Sequence, residues 1–470
     1  MAGFSFPEVR IAVARGIEAI PAIAAYPQNP PVLASSTRSR SRALSAIMKA
    51  TSLALDHLLR AIGDPIADLR DIGPGHAEFS RALTLRAGAG VLSKSPRAWP
   101  LIAQATQQAR DVVAPPAARA HFAAAEAWLA GNPVLAAESY ASILDRWPHD
   151  LLAMRLAQSC FFFLGWHDRL CALVDAVLPA WPSDRRGYGF VLAIASFAHA
   201  ENGDAAHAEL LGRASLAIDP ACPLGVHSVA HAIAESGRPH DGARWMRDQV
   251  AHWAAESRMR THNAWHLAMF DAEEGNVASA LGILDRWLLP ASANSSLDAC
   301  DATALLCRLS ANGFDDASRW KRISNAFAQT MAPGFWPYVD LHAVLAHLKA
   351  GESLRMHALS RAIHRCAEGS DYAALRARHI TLPGLRALNA SSEGRHAEAA
   401  GLFADLRPLL SDVGGSRVQL DIFRSIEREA PHTRAANPVK SCRPAIATER
   451  TFRSANMTHA GNALAHALPT

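Results

Sequence analysis

The chain has 470 residues, of which 50% are hydrophobic and 19% charged, so a mainly disordered protein is excluded. Gly and Pro, at 28 and 27, exclude a collagen-like or low-complexity chain. The net charge of +4 sits in residues 431–470, where Arg434, Lys440, Arg443, Arg450 and Arg453 face Glu449 alone. The remainder is neutral and lacks the basic face that a nucleic-acid binder needs to neutralise phosphates.

Residues 1–40 show no Lys/Arg region followed by an apolar stretch, so no secretory signal is expected. They read as a flexible lead-in, with the Arg/Ser-rich segment 35–43 running into the first helix. Residues 41–116 read as a helical cap. The longest apolar run, Phe190 to Ala200, contains His199 and is too short to span a bilayer. Seven cysteines are scattered without a C-x-x-C pair, which suits buried thiols in a reducing compartment and predicts a cytoplasmic protein.

From residue 117 to 410 one phrase recurs: an apolar helical run, a glycine turn, and a second run rich in Ala and Leu. The turn glycines are Gly131, Gly165, Gly203, Gly237, Gly275, Gly313, Gly351 and Gly394, spaced by 34, 38, 34, 38, 38, 38 and 43 residues. Pro148, Pro182 and Pro220 each follow their glycine by 17 residues. Glycine takes the left-handed conformation that ends a helix, and proline marks where the second helix cannot continue. The period predicts an all-α, right-handed, TPR-like superhelical solenoid of helix hairpins, because a single hairpin cannot bury its apolar stripe alone. Segment 411–430 reads as a closing helix and residues 431–470 as a basic, disordered tail.

Four histidines stand in adjacent hairpins at i, i+4: His227 with His231, and His262 with His266. Counted back from their turn glycines they fall at offsets 10, 6, 13 and 9, an i, i+3, i+4, i+7 stripe on one helical face. His342, at offset 9, joins that face; Asp301 and Asn263 fall at its edge, and Asp340 falls off it unless the register shifts. The stripe is expected to line a concave groove. Imidazoles at this spacing can chelate zinc or another divalent metal, with acids as further ligands or orienters, or do acid–base work near neutral pH. They can equally serve as hydrogen-bonded links between helices. The pattern is not H-E-x-x-H, so a zinc-protease base is missing. His121, His149, His167, His207 and His240 read as surface or loop residues, and Trp128, Trp147 and Trp181 as packing anchors.

The stretches LLAMRLAQSCFFFLGW (151–166), GVHSVAHAIAESGR (225–238), THNAWHLAMFDAEEGN (261–276), VDLHAVLAHLKAG (339–351) and GGSRVQLDIF (414–423) resemble the tetratricopeptide repeat protein 38 family. The resemblance covers roughly residues 45–428. It implies an all-helical repeat protein and marks His227, His231, His262, Asn263, His266, Asp340, His342, Gln419 and Asp421 as family-like positions, without supplying a reaction. The function expected is binding of a peptide or protein partner in the concave groove. The alternative is a groove-sited small-molecule or metal-dependent enzyme built on His227, His231, His262 and His266. Neither needs a nucleic acid or a membrane.

Overall fold

The computed structural model describes residues 37–429 except 255, 256 and 312, with side chains described from 45 to 425. The expected lead-in, apart from 37–40, and the expected tail lie outside these residues. Every regular element described is helical. No described helix is long and apolar enough to cross a membrane.

The chain opens with α1 (Thr37–Arg60), α2 (Phe79–Leu92) and α3 (Trp99–Ala109). Hairpins follow in series, each helix packed on its neighbour in sequence. They are α4 (Pro116–Leu129) with α5 (Pro133–Arg146), then α6 (Leu151–Leu164) with α7 (His167–Val177). Next come α8 (Tyr188–Glu201) with α9 (Ala205–Ile218), and α10 (Pro223–Glu235) with α11 (Pro239–Asp248). Then come α12 (Arg260–Glu273) with α13 (Val277–Ile283), and α14 (Ser296–Ala311) with α15 (Ala317–Thr330). The series ends with α16 (Pro337–Lys349) and α17 (Ser353–Ala367), α18 (Leu382–Ser392) and α19 (His396–Leu406), and the single helix α20 (Arg417–Glu429). This is the all-α, TPR-like array of hairpins that the repeat predicts.

All eight turn glycines adopt positive φ, between 64° and 92°, so each hairpin turns where the period places it. Small residues let paired helices approach: Ser196 on α8 donates its hydroxyl to the Ala208 carbonyl of α9 at 2.7 Å. The six cysteines described are free thiols; Cys442 lies outside the described residues. Trp128 and Trp181 are buried anchors, with Trp128 edge-on to Phe163 at 5.1 Å.

The array is closed on itself. The Phe162 and Phe163 carbonyls at the end of α6 meet the chain that leads into α20. Gly415 N–H donates to the Phe162 carbonyl at 3.2 Å. Arg376 is 4% exposed and donates to the carbonyls of Phe163, Asp412 and Val413 at 3.2, 2.7 and 3.1 Å. Helix α20 then lies against α10, α14 and α19. The concave face expected to be open along the histidine wall is therefore filled by the chain's own last helix.

A Cβ on Gly165, at φ 75°, would fall inside the Ser411 carbonyl, whereas one on Gly275, at φ 79°, meets nothing. Gly165→Ala is expected to lose about 2–4 kcal/mol, since it adds a steric clash to the left-handed cost. Gly275→Ala is expected to lose about 1 kcal/mol from the backbone alone. Urea unfolding of the two variants checks the difference.

Candidate functional site

Helices α10 and α12 end at equivalent glycines, so their histidines are brought level across the interface between hairpins. The ring centroids of His227 and His266 lie 4.4–5.1 Å from each other and from those of His231 and His262. One ligating nitrogen from each falls within 4.8 Å of all the others. His231 and His266 are fully buried, His227 nearly so, and His262 marks the partly exposed edge. Phe197 stacks on His227 at 5.6 Å and meets His231 edge-on, while Trp265 stacks on His262 at 5.2 Å. Aromatic walls thus exclude water from most of the cluster.

Two carboxylates stand behind the rings. Asp301 on α14 takes His262 Nδ1 on Oδ2 at 2.7 Å and the Gln419 side-chain amide of α20 on Oδ1 at 3.1 Å. Glu201 at the end of α8 sets Oε1 2.8 Å from His231 Nδ1, off the line of the ring N–H. Its Oε2 accepts the Arg417 backbone N–H at the start of α20, at 2.7 Å. Each acid is shared between one histidine and the closing helix. Nδ1 protonation of His262, assigned from Asp301, leaves its Nε2 free to bind. His231 Nε2 lies 2.9 Å from His227 Nε2. His227 Nδ1 and both nitrogens of His266 have no hydrogen-bond partner although buried.

The electrostatics separate the roles. Burial, reinforced by neighbouring imidazoles, pushes His227 and His266 well below the usual histidine range, which keeps them neutral and able to donate a lone pair. Burial alone would lower His262 too, but the Asp301 charge and hydrogen bond outweigh it and raise it. Burial would raise Glu201, yet its contact with His231, His167 nearby and the Arg417 amide hold it below the ordinary carboxylate range. Burial, then the charge of Asp301, pushes Asp298 up to about 6.

The other residues of the stripe separate. His342 is fully buried one wall away, with Nδ1 on the Tyr338 carbonyl at 2.7 Å and its ring against Phe423 at 5.3 Å. Asp340 is no part of the cluster. It accepts the Gly334 N–H at 3.0 and 3.2 Å and so fixes the turn into α16, and burial pushes it up to about 7. Asn263 is fully buried on α12 with neither amide atom hydrogen-bonded. His121 and His167, read as surface residues, are buried; His121 pairs with Asp150 at 2.9 Å. Glu201 was not singled out by sequence. Its only signal is being the single acid in the otherwise uncharged, apolar α8.

No protein-family model matches the chain. Among solved structures, a chain from the crystal structure of the APC/C hetero-tetramer Cut9-Hcn1 is similar over 83% of this chain and 74% of its own, at 13% identity and TM-score 0.38.

Burial lowers His342 to about 4, so the folded state stays neutral where the unfolded chain takes up a proton. Its contribution is present above about pH 6.5 and lost as pH falls toward 4. His342→Phe keeps a ring against Phe423 and is expected to shallow the acid limb of stability by up to about 1.4 kcal/mol per pH unit in that window. Denaturant unfolding at pH 7, 6 and 5 measures it.

Proposed function

We propose that His227, His231, His262 and His266 hold one divalent transition-metal ion, such as zinc, and that the protein is a metal-dependent enzyme acting on a small molecule inside the closed array. The observation that carries this reading is the convergence of four ligating nitrogens within 4.8 Å, backed by two carboxylates. Imidazole sets suit zinc, iron, nickel and copper. The orphaned nitrogens of His266 and His227 supply donors that nothing else uses. Two neutral imidazoles avoid competition from protons, and the two negative charges of Glu201 and Asp301 balance a divalent cation in a buried place.

Such an ion would supply Lewis acidity and a lowered pKa for a bound water. The chain's own part is positional. Asp301 fixes the tautomer of His262, Glu201 stands against His231, Phe197 and Trp265 exclude water, and His262 stands at the rim where a ligand arrives. A peptide-binding reading loses this wall, since α20 occupies it. It would have to use another face of the repeat array.

Elemental analysis of protein purified without chelator is expected to find about one ion per chain, and none in His266→Ala. Glu201→Gln is expected to weaken metal affinity about 10–100-fold, as for carboxylates that orient ligating histidines. Absence of stoichiometric metal in the folded protein, even after reloading with zinc, iron, nickel or copper, would end the metal reading.

A further inference from the structure

Next to the histidine cluster, helix α6 carries a second group of polar side chains that the metal reading does not use. Helix α6 turns Arg155, Gln158, Ser159 and Phe162 to one side, at i, i+3, i+4 and i+7. Gln158 and Ser159 are buried at 5% and 2% exposure. The Ser159 hydroxyl and Arg155 Nε are enclosed and make no hydrogen bond. The Arg155 guanidinium meets the Gln158 side-chain oxygen, a neutral partner. Beside it stands Lys94, in the turn between α2 and α3, with its ammonium 5.7 Å from the centre of the Phe162 ring and 3.5 Å from the Leu92 carbonyl.

Two features set this pair apart. Among the described residues no carboxylate pairs with either cation, and none contributes to their electrostatics; burial pushes Lys94 down to about 7, with the Arg155 charge adding to it. Lys94 also holds a left-handed backbone, φ 48°, which is strained for a residue with a Cβ. Two like charges held side by side, each half-buried and without a counter-ion, repel one another, and strain at one of them adds to that cost. Such an arrangement is stable when an anion completes it.

The pair also faces the cluster. Phe162 lies 6.1 Å from Phe197, whose ring stacks on His227, and the Arg155 charge bears on His227. A cavity of about 400 Å³ opens at the head of the same helices, lined by Leu59, Asp56, Leu151, Arg186, Phe190 and Asp219 among others; it is separate from the pair, since neither the two cations nor the four histidines line it.

We infer that Arg155 and Lys94 form an oxyanion subsite, with Ser159 as a further donor, which holds the carboxylate or phosphate of a small ligand whose other end reaches the imidazoles. Guanidinium and ammonium groups are the usual partners of both anions, and the fork of Arg155 can grip either through two N–H groups. The inference names the substrate class for the proposed metal site and rests on that reading only for the direction in which the ligand points.

The test uses the full chain, with zinc and after chelator treatment, and two probes, inorganic phosphate and oxalate, followed by calorimetric titration and thermal melting. At least one probe is expected to bind and to raise the melting temperature. Arg155→Met is expected to weaken that binding at least tenfold while leaving metal content unchanged. In anion-free buffer it should melt no lower than the parent, since an unpaired cation is removed. Lys94→Gly, which fits the left-handed backbone and so keeps the fold, is expected to weaken binding likewise. Tighter binding of phosphate or of oxalate identifies the natural anion, and either supports the subsite. No binding by the parent chain, or undiminished binding in both variants, overturns it. Loss of the metal reading shows separately, as missing zinc with anion binding to Arg155 intact.

Discussion

Two shared carboxylates hold the centre of this molecule together. Asp301 and Glu201 each give one oxygen to a histidine and the other to the closing helix α20, through Gln419 and the Arg417 amide. Acids so buried depend on these partners: both Asp301 oxygens accept hydrogen bonds, while Glu201 accepts one and sets its other oxygen against His231. Closure of the array and orientation of the imidazoles are therefore one event. Without α20, the two acids would lose half their partners and His262 its fixed tautomer. With it, a curved stack of hairpins becomes a closed body with a polar interior.

The second fastening works by different physics. Arg376 makes no close ion pair among the described residues, although the charges of Asp412 and Asp340 bear on it; its hydrogen bonds go to three carbonyls and it lies over the face of Phe163, 5.0 Å away. The Phe163 carbonyl ends α6, where the helix dipole is negative, so a cation is welcome there. Gly414 and Gly415, at φ 82° and 88°, let the chain pass so close to Phe163, Trp336 and Tyr338 that side chains at these positions would collide. Early and late hairpins are thus joined by backbone contacts that tolerate little change.

Much of the architecture could be read locally. A helix that ends at glycine and a partner that ends near proline are short-range facts, so the period from Gly131 to Gly394 carried the hairpins. The offsets of His227, His231, His262 and His266 predicted one face because a regular helix preserves direction over two turns. What failed was whatever depends on contacts distant in sequence. The pairing of Asp301 with Gln419 spans 118 residues, and that of Glu201 with Arg417 spans 216. Periodicity carries no sign of either. Nor does it show that α20 folds back over the wall, which is why an open groove was expected. His342 sat on the right face but in a hairpin too far along the curve, so it meets Phe423 instead of the cluster.

The charges around the imidazoles follow an order that a purely structural core would not need. Acids stand behind the imidazoles, where they meet histidine nitrogens and helix α20. The unpaired cations stand on α6 and the turn before α3. Arg308 on α14 adds a cation on the acid side, over Trp265 and bearing on His266, whereas Arg155 bears on His227 from α6. A molecule that is anionic at one end and metal-binding at the other would match Arg155 and the imidazoles, and a closed array would admit it only if it were small.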